Sequence, residues 1–216
     1  MSQQQVLITG ATRGIGRACA KYFAQHGWLV VGVARSASGL SKLREELGES
    51  VQTIQADLAT KAGILAVPQA YYDAIVLNAA TFAPGELLEG DDQFERLWKL
   101  NVRANHRLVR RVLPELRKRN QGHLVVIGSL GTDYWPAHLT AYVATKYALR
   151  GLFLGWETEL KDSGIRTVLV APGATLTSSW DNEVPPSEIM MPEEVAAFVG
   201  MVIREGREGR LVIRQE

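Results

Sequence analysis

Four groups of residues in this chain have the types and spacing to do chemistry. The first is Thr9-Gly10-Ala11-Thr12-Arg13-Gly14-Ile15-Gly16. Gly10 permits a tight turn, Gly14 lets backbone approach a phosphate closely, and Gly16 lets a following helix pack on a strand. The start of that helix offers free N–H groups and the positive end of its dipole to a pyrophosphate. The spacing is G-x-x-x-G-x-G rather than the G-x-G-x-x-G dinucleotide fingerprint. A glycine-rich turn without a ligand is the alternative. The second group is Arg13 with Arg35. NAD-binding folds place an acid about 20 residues past the glycines, on the ribose 2′-hydroxyl. Here Ala34 fills that place and Arg35 follows it. Two guanidinium groups and no carboxylate suit a 2′-phosphate, which favours NADP(H) over NAD(H). The alternative is a pair of solvated surface charges. The third group is Tyr142 and Lys146, four apart and so on one side of a helix, with Ser129 thirteen residues earlier. The fourth is Asn101, the single polar member of a helical face of Phe94, Leu97, Ala104, Leu108, Val112 and Leu116. By itself it reads equally well as a buried amide bonded to backbone.

The elements that position these groups are legible in the hydropathy pattern. Short runs rich in Val, Ile and Leu fall at Val6–Thr9, Leu29–Ala34, Val51–Gln55, Ala74–Leu77, His123–Gly128, Arg166–Val170 and Arg210–Ile213. They do not alternate apolar with polar, which predicts strands buried on both faces of a parallel sheet. Amphipathic stretches between them predict helices at Gly14–His26, Ser38–Leu47, Asp91–Arg119, Thr140–Asp162 and Pro192–Glu205, with Pro114 bending the third near its end. The crossover between Asp57 and Asp73 holds at most a short helix. Strand and helix in alternation, joined by right-handed crossovers, predict an α/β fold. It is a three-layer, doubly wound Rossmann fold with a mostly or fully parallel seven-stranded sheet. No linker divides residues 1–216, so they read as one domain with a short lid loop over 174–191.

Composition removes several classes of function. Twenty-four basic against 23 acidic residues give a net charge of +1, without the electrostatic footprint of a nucleic-acid binder. The lone Cys19 can form no internal disulfide, and four scattered histidines lack metal-ligand spacing. No apolar run reaches the roughly 18 residues of a membrane span, and the polar start shows no secretory signal. The expectation is a cytoplasmic protein with neither nucleic-acid nor membrane partners.

Taken in order, Thr9–Gly16, Asn78-Ala79-Ala80, Asn101, Ser129, Tyr142-x-x-x-Lys146 and Pro172-Gly173 resemble the short-chain dehydrogenase/reductase family over essentially the whole chain. The resemblance implies an NADP(H)-dependent oxidoreductase that moves a hydride between the nicotinamide and a carbonyl or secondary alcohol. Tyr142 would be the general acid in reduction and the base in oxidation. A free tyrosine titrates near 10, and the Lys146 charge one turn away would favour the tyrosinate. Lys146 would also hold the nicotinamide ribose. Ser129 would stabilise charge on the substrate oxygen, and Asn101 would hold a water that relays protons to Lys146. On the cofactor side, Thr12 and Ile15 accompany the glycines, and Asp57 and Leu58 would flank the adenine. Asn78 and Ala79 would face the adenosine ribose, and Pro172-Gly173 would pass under the nicotinamide. Thr175 and Thr177 would meet its carboxamide and the phosphates. Ala80 departs from the family's glycine.

The substrate would lie against Leu130–Leu139 and the loop after Thr177, where Tyr134, Trp135, His138 and Trp180 suit an apolar or ring-bearing carbonyl. Filling beneath a lid, or a subunit contact, would explain the same aromatics. A non-catalytic NADP(H)-sensing regulator on the same fold is the competing function. Such proteins typically lack the Tyr or the Lys. A sugar-nucleotide epimerase or dehydratase normally appends a C-terminal substrate domain, for which the residues after Thr177 are expected to leave no room. Finally, the helices holding Asn101 and Tyr142 show a second apolar set: Trp98, Val102 and Val109 on one, Val143, Tyr147, Phe153 and Leu154 on the other. In the resembled family these helices pair about a twofold axis, which implies a homodimer or homotetramer.

Overall fold

A computed structural model describes residues 3–85, 91–181 and 184–215. Seven strands form one sheet: β1 (Gln5–Thr9), β2 (Leu29–Ala34), β3 (Val51–Gln55), β4 (Ala74–Leu77), β5 (Gly122–Ile127), β6 (Ile165–Pro172) and β7 (Gly209–Ile213). Their order is β3-β2-β1-β4-β5-β6-β7, and every neighbouring pair is parallel. The reason the runs do not alternate in polarity is visible in the two cores. Val6 and Ile8, Ala74 and Val76, Val125 and Ile127 lie in one core, whereas Leu7, Ile75 and Leu77, Leu124 and Val126 lie in the other. Successive side chains point to opposite faces, and both faces are covered.

One face is covered by α1 (Gly14–Gln25), α2 (Ala37–Leu47) and α7 (Pro192–Glu205); α3 (Lys61–Ala66), α5 (Asn105–Arg119) and α6 (Thr140–Leu160) cover the other. The short crossover helix is α3, capped by the Thr60 hydroxyl on Gly63 N at 2.9 Å. β6 runs two residues past the predicted Val170, because Ala171 and Pro172 pair with Val212 and Ile213. β5 begins at Gly122 and leaves Gly128 outside the strand, although Gly128 N still donates to Val170 O at 2.7 Å.

The long helix expected over Asp91–Arg119 differs most. It starts at Phe94 as α4 (Phe94–Trp98), widens into a π-helical turn over Lys99–Ala104, and continues as α5 straight through Pro114. A disturbance of the helix therefore sits around Asn101. Asn105 Nδ2 donates to the Asn101 carbonyl at 2.8 Å, so a side chain answers an oxygen within the widened turn. Single π-turns inside helices are frequent at functional sites.

Candidate active site

The strand order reverses between β1 and β4, and ligands of open α/β sheets bind at the carboxyl ends of the strands beside such a switch. The chain builds that point with two residues. Buried Thr9 accepts hydrogen bonds at its Oγ1 from Asn78 N and Ala79 N, both 2.9 Å. Asn78 Nδ2 returns to Thr9 O at 3.0 Å and Gly10 O at 3.3 Å. Asn78 thus braces the glycine loop with the amide expected to face a ribose. Gly10 (φ +68°) and Gly14 (φ +52°) occupy the left-handed region, and a Cβ on Gly16 would overlap the Gly10 carbonyl. No side chain caps the start of α1, so its N–H groups face the cleft ready for an anion. Ala80 keeps negative φ, so replacing the family's glycine costs no backbone strain.

Toward β2, the cleft is lined by Thr12, Arg13, Ala34, Arg35, Ser36, Gly39 and Leu58. Ala34 closes the strand with no carboxylate, and both arginines are exposed. Ser36, which sequence reasoning passed over, caps α2 by accepting from Gly39 N at 3.0 Å. Asp57 is not among the described lining residues. Its Oδ1 accepts from Ala59 N at 3.0 Å, which holds the turn before α3. From the other side, the loop after β6 crosses the glycine turn. Arg13 Nη1 donates to Ser178 Oγ at 2.8 Å, and the Thr177 methyl faces Gly14. Thr175 Oγ1 donates to Gly173 O at 3.1 Å, and Trp180 Nε1 donates to Thr175 O at 3.0 Å. Residues 182–183 of this expected lid lie outside the described residues.

At the β5 end, Ser129, Tyr142 and Lys146 line the same cleft as Pro172 and Gly173. The Ser129 side chain lies close enough to the Tyr142 hydroxyl to favour its ionised form. Ser129 Oγ also accepts from Gly131 N at 3.1 Å, which fixes its direction. Lys146 Nζ is buried, donates to Ile127 O at 3.0 Å, and sits 5.7 Å from the centre of the Tyr142 ring. Burial raises Tyr142 to about 12 and lowers Lys146 to about 8. The protein interior disfavours the charged form of each. The lysine effect expected on the tyrosine does not set its direction; desolvation does, opposed by the Ser129 side chain. Asn101 is fully buried and outside the lining. Its Oδ1 accepts from Thr81 N at 2.8 Å, and its Nδ2 donates to Thr81 O and Thr145 Oγ1, both 3.0 Å. It thereby ties the segment after β4 to α6 one residue from Lys146.

Tyr134, His138 and Trp180 line this end as expected, but Trp135 does not. It stacks on Tyr147 on the outer face, with ring centres 5.5 Å apart. Phe82, Pro84 and Leu100 belong to the wall and were missed. Phe82 meets Tyr142 edge-on at 5.0 Å. The signal for it was position, since Phe82 follows Asn78 at the switch point. The cleft encloses about 1280 Å³, more than the roughly 300–1,000 Å³ of an ordinary small-ligand site. It has room for a dinucleotide and a second molecule. The uncapped α1 terminus and the paired arginines fit a dinucleotide carrying an extra phosphate. Among the described residues no group of His, Cys, Asp or Glu could hold a metal, and no helix is long and apolar enough to cross a membrane.

This combination of fold and cleft defines a nucleotide-dependent oxidoreductase class. The short chain dehydrogenase family profile matches residues 4–187, and the chain belongs to that family. It is 33% identical over 177 residues to the NADP-dependent 3-hydroxy acid dehydrogenase YdfG of Salmonella typhi, covering 78% of this chain and 71% of that one. It is 31% identical over 176 residues to the serine 3-dehydrogenase of Agrobacterium fabrum, covering 78% and 70%. A short-chain dehydrogenase from Sphingobium yanoikuyae in complex with NADPH superposes with a TM-score of 0.86 at 32% identity, over 97% of this chain and 87% of that one.

Proposed function

We propose that this protein is an NADP(H)-dependent reductase or dehydrogenase acting on a carbonyl or secondary alcohol, with Tyr142 as general acid and base. The observation that carries the reading is the meeting of Ser129, Tyr142 and Lys146 in one cleft with the glycine loop and two arginines. The relatives named for NADP and the neighbour holding NADPH support the choice of cofactor. Arg13 and Arg35 would hold the 2′-phosphate, the α1 terminus the pyrophosphate, and Lys146 the nicotinamide ribose. When bound, the nicotinamide supplies or receives the hydride.

The chain's own residues handle the proton. Tyr142, kept neutral at about 12, is a phenol at every physiological pH. In the reducing direction it can give its proton to the substrate oxygen, which Ser129 polarises by donating a hydrogen bond. The tyrosinate left behind would be held by Ser129 and by protonated Lys146. Consumption of NADPH against a panel of ketones, aldehydes and hydroxy acids tests the reading. Tyr142→Phe should keep NADPH binding and lose at least about 10²-fold in rate, the low end for a general acid. Retained turnover in that variant would remove Tyr142 from the role. Tight NADPH binding without turnover in the wild type would leave the regulator instead.

A further inference from the structure

We infer that the substrate of this site is an uncharged carbonyl compound with an apolar or aromatic group, and that carboxylate-bearing substrates are rejected. The inference rests on the proposed oxidoreductase function and concerns what the substrate end of the cleft can bind. Its wall is built from Phe82, Pro84, Leu100, Tyr134, Leu139 and Trp180. Among the described lining residues the lysines and arginines are Arg13, Arg35 and Lys146. None serves a substrate. Arg35 follows β2, three strand spacings from β5 and so about 14 Å away. Arg13 is on the glycine turn and bonded to Ser178. Lys146 is buried behind the reacting tyrosine and bonded to Ile127 O.

Two arginines beside the Tyr134 segment are already paired. Arg210 Nη2 reaches both carboxylate oxygens of Asp133 at 2.6 Å, and Arg150 Nη1 reaches one at 3.4 Å. Asp133 directly precedes Tyr134 in the wall. A substrate carboxylate would therefore meet a mainly apolar wall with no lysine or arginine of the described lining left to pair with it. Burying an unpaired charge is costly. The relatives named for 3-hydroxy acids and serine act on substrates of the type this wall disfavours.

The test compares matched pairs, para-acetylbenzoate with its methyl ester and acetoacetate with its ethyl ester. Their dissociation constants are measured by calorimetry on Tyr142→Phe loaded with NADPH. The measurement is made at pH 8. Each ester should bind at least about tenfold more tightly than its acid. Equal or tighter binding of the acids overturns the inference, whatever the wild type turns over. Tight ester binding without wild-type turnover of either member overturns the hydride-transfer function and leaves the inference standing. Tyr134→Arg, which puts a cation in the wall, should narrow the acid–ester ratio at least about threefold. An unchanged ratio would show that the missing cation does not set the preference.

Discussion

At the scale of single residues, the cleft separates two kinds of charge control. Arg13 and Arg35 stay in solvent, where a phosphate can reach them. Replacing Arg35 by Asp should weaken NADPH and improve NADH. A charge-assisted bond of about 1.5–3 kcal/mol corresponds to roughly ten- to a hundredfold in a fluorescence titration. A wild type that already prefers NADH would refute the assignment. Lys146 is the opposite case. Its ammonium is destabilised in the fold, titrating at about 8 against 10.5 for the free side chain. The folded state therefore carries a penalty while the lysine is protonated. It is fully present below about pH 8 and relieved as pH rises toward 10.5, because there the unfolded chain holds the extra proton. The penalty is on the order of 3 kcal/mol. Urea unfolding of Lys146→Met should show a stability gain over the wild type that shrinks between pH 8 and 10.5. A difference independent of pH would mean that Lys146 is not depressed.

At the scale of elements, the switch point depends on one hydroxyl. Thr9 ends β1, and its Oγ1 satisfies two N–H groups of the segment leaving β4. Thr9→Val keeps the shape and the strand preference but leaves both donors without a partner. A buried unsatisfied group costs about 1–3 kcal/mol, so the urea midpoint should fall and NADPH binding should weaken with it. Thr9→Ser should restore both, whereas a Val variant as stable as wild type would remove Thr9 from this role. Thr9 stands with the glycines in the sequence but declares no role of its own there, because a threonine in a strand is ordinary. Its bond partners lie 69 and 70 residues away. The π-turn was hidden for a related reason. Its positions still step by three and four along the sequence, and only the backbone shows the widened turn around Asn101.

At the scale of the molecule, the outer faces of α4, α5 and α6 bear on assembly. Val102, Val109, Val143 and Phe153, expected at a subunit contact, are buried within the single chain. Phe153 in particular is wholly enclosed in the core, so a charge there would unfold the protein rather than split a dimer. Tyr147 and Leu154 of the same set remain 43% and 51% exposed, and Trp135 stacks on the first. A homodimer joined across this face should sediment at about twice the 23.8 kDa chain mass at micromolar concentration. Leu154→Glu should return it to the chain mass with the same circular dichroism. A wild type already at the chain mass would end the proposal.

Periodicity and glycine spacing by themselves determined the parallel α/β class, the glycine turn into α1, and the Tyr142–Lys146 pair on one helical side. These properties are local. A strand buried on both faces, a positive-φ turn and an i, i+4 pair each declare themselves within a few residues. Only the tertiary structure decided where Asp57 and Asn78 spend their polar groups, and which aromatic of Tyr134-Trp135 enters the cleft. It also showed that burial sets the direction at Tyr142. Each of those outcomes depends on solvent exposure and on partners brought together across the sheet, which no stretch of sequence contains.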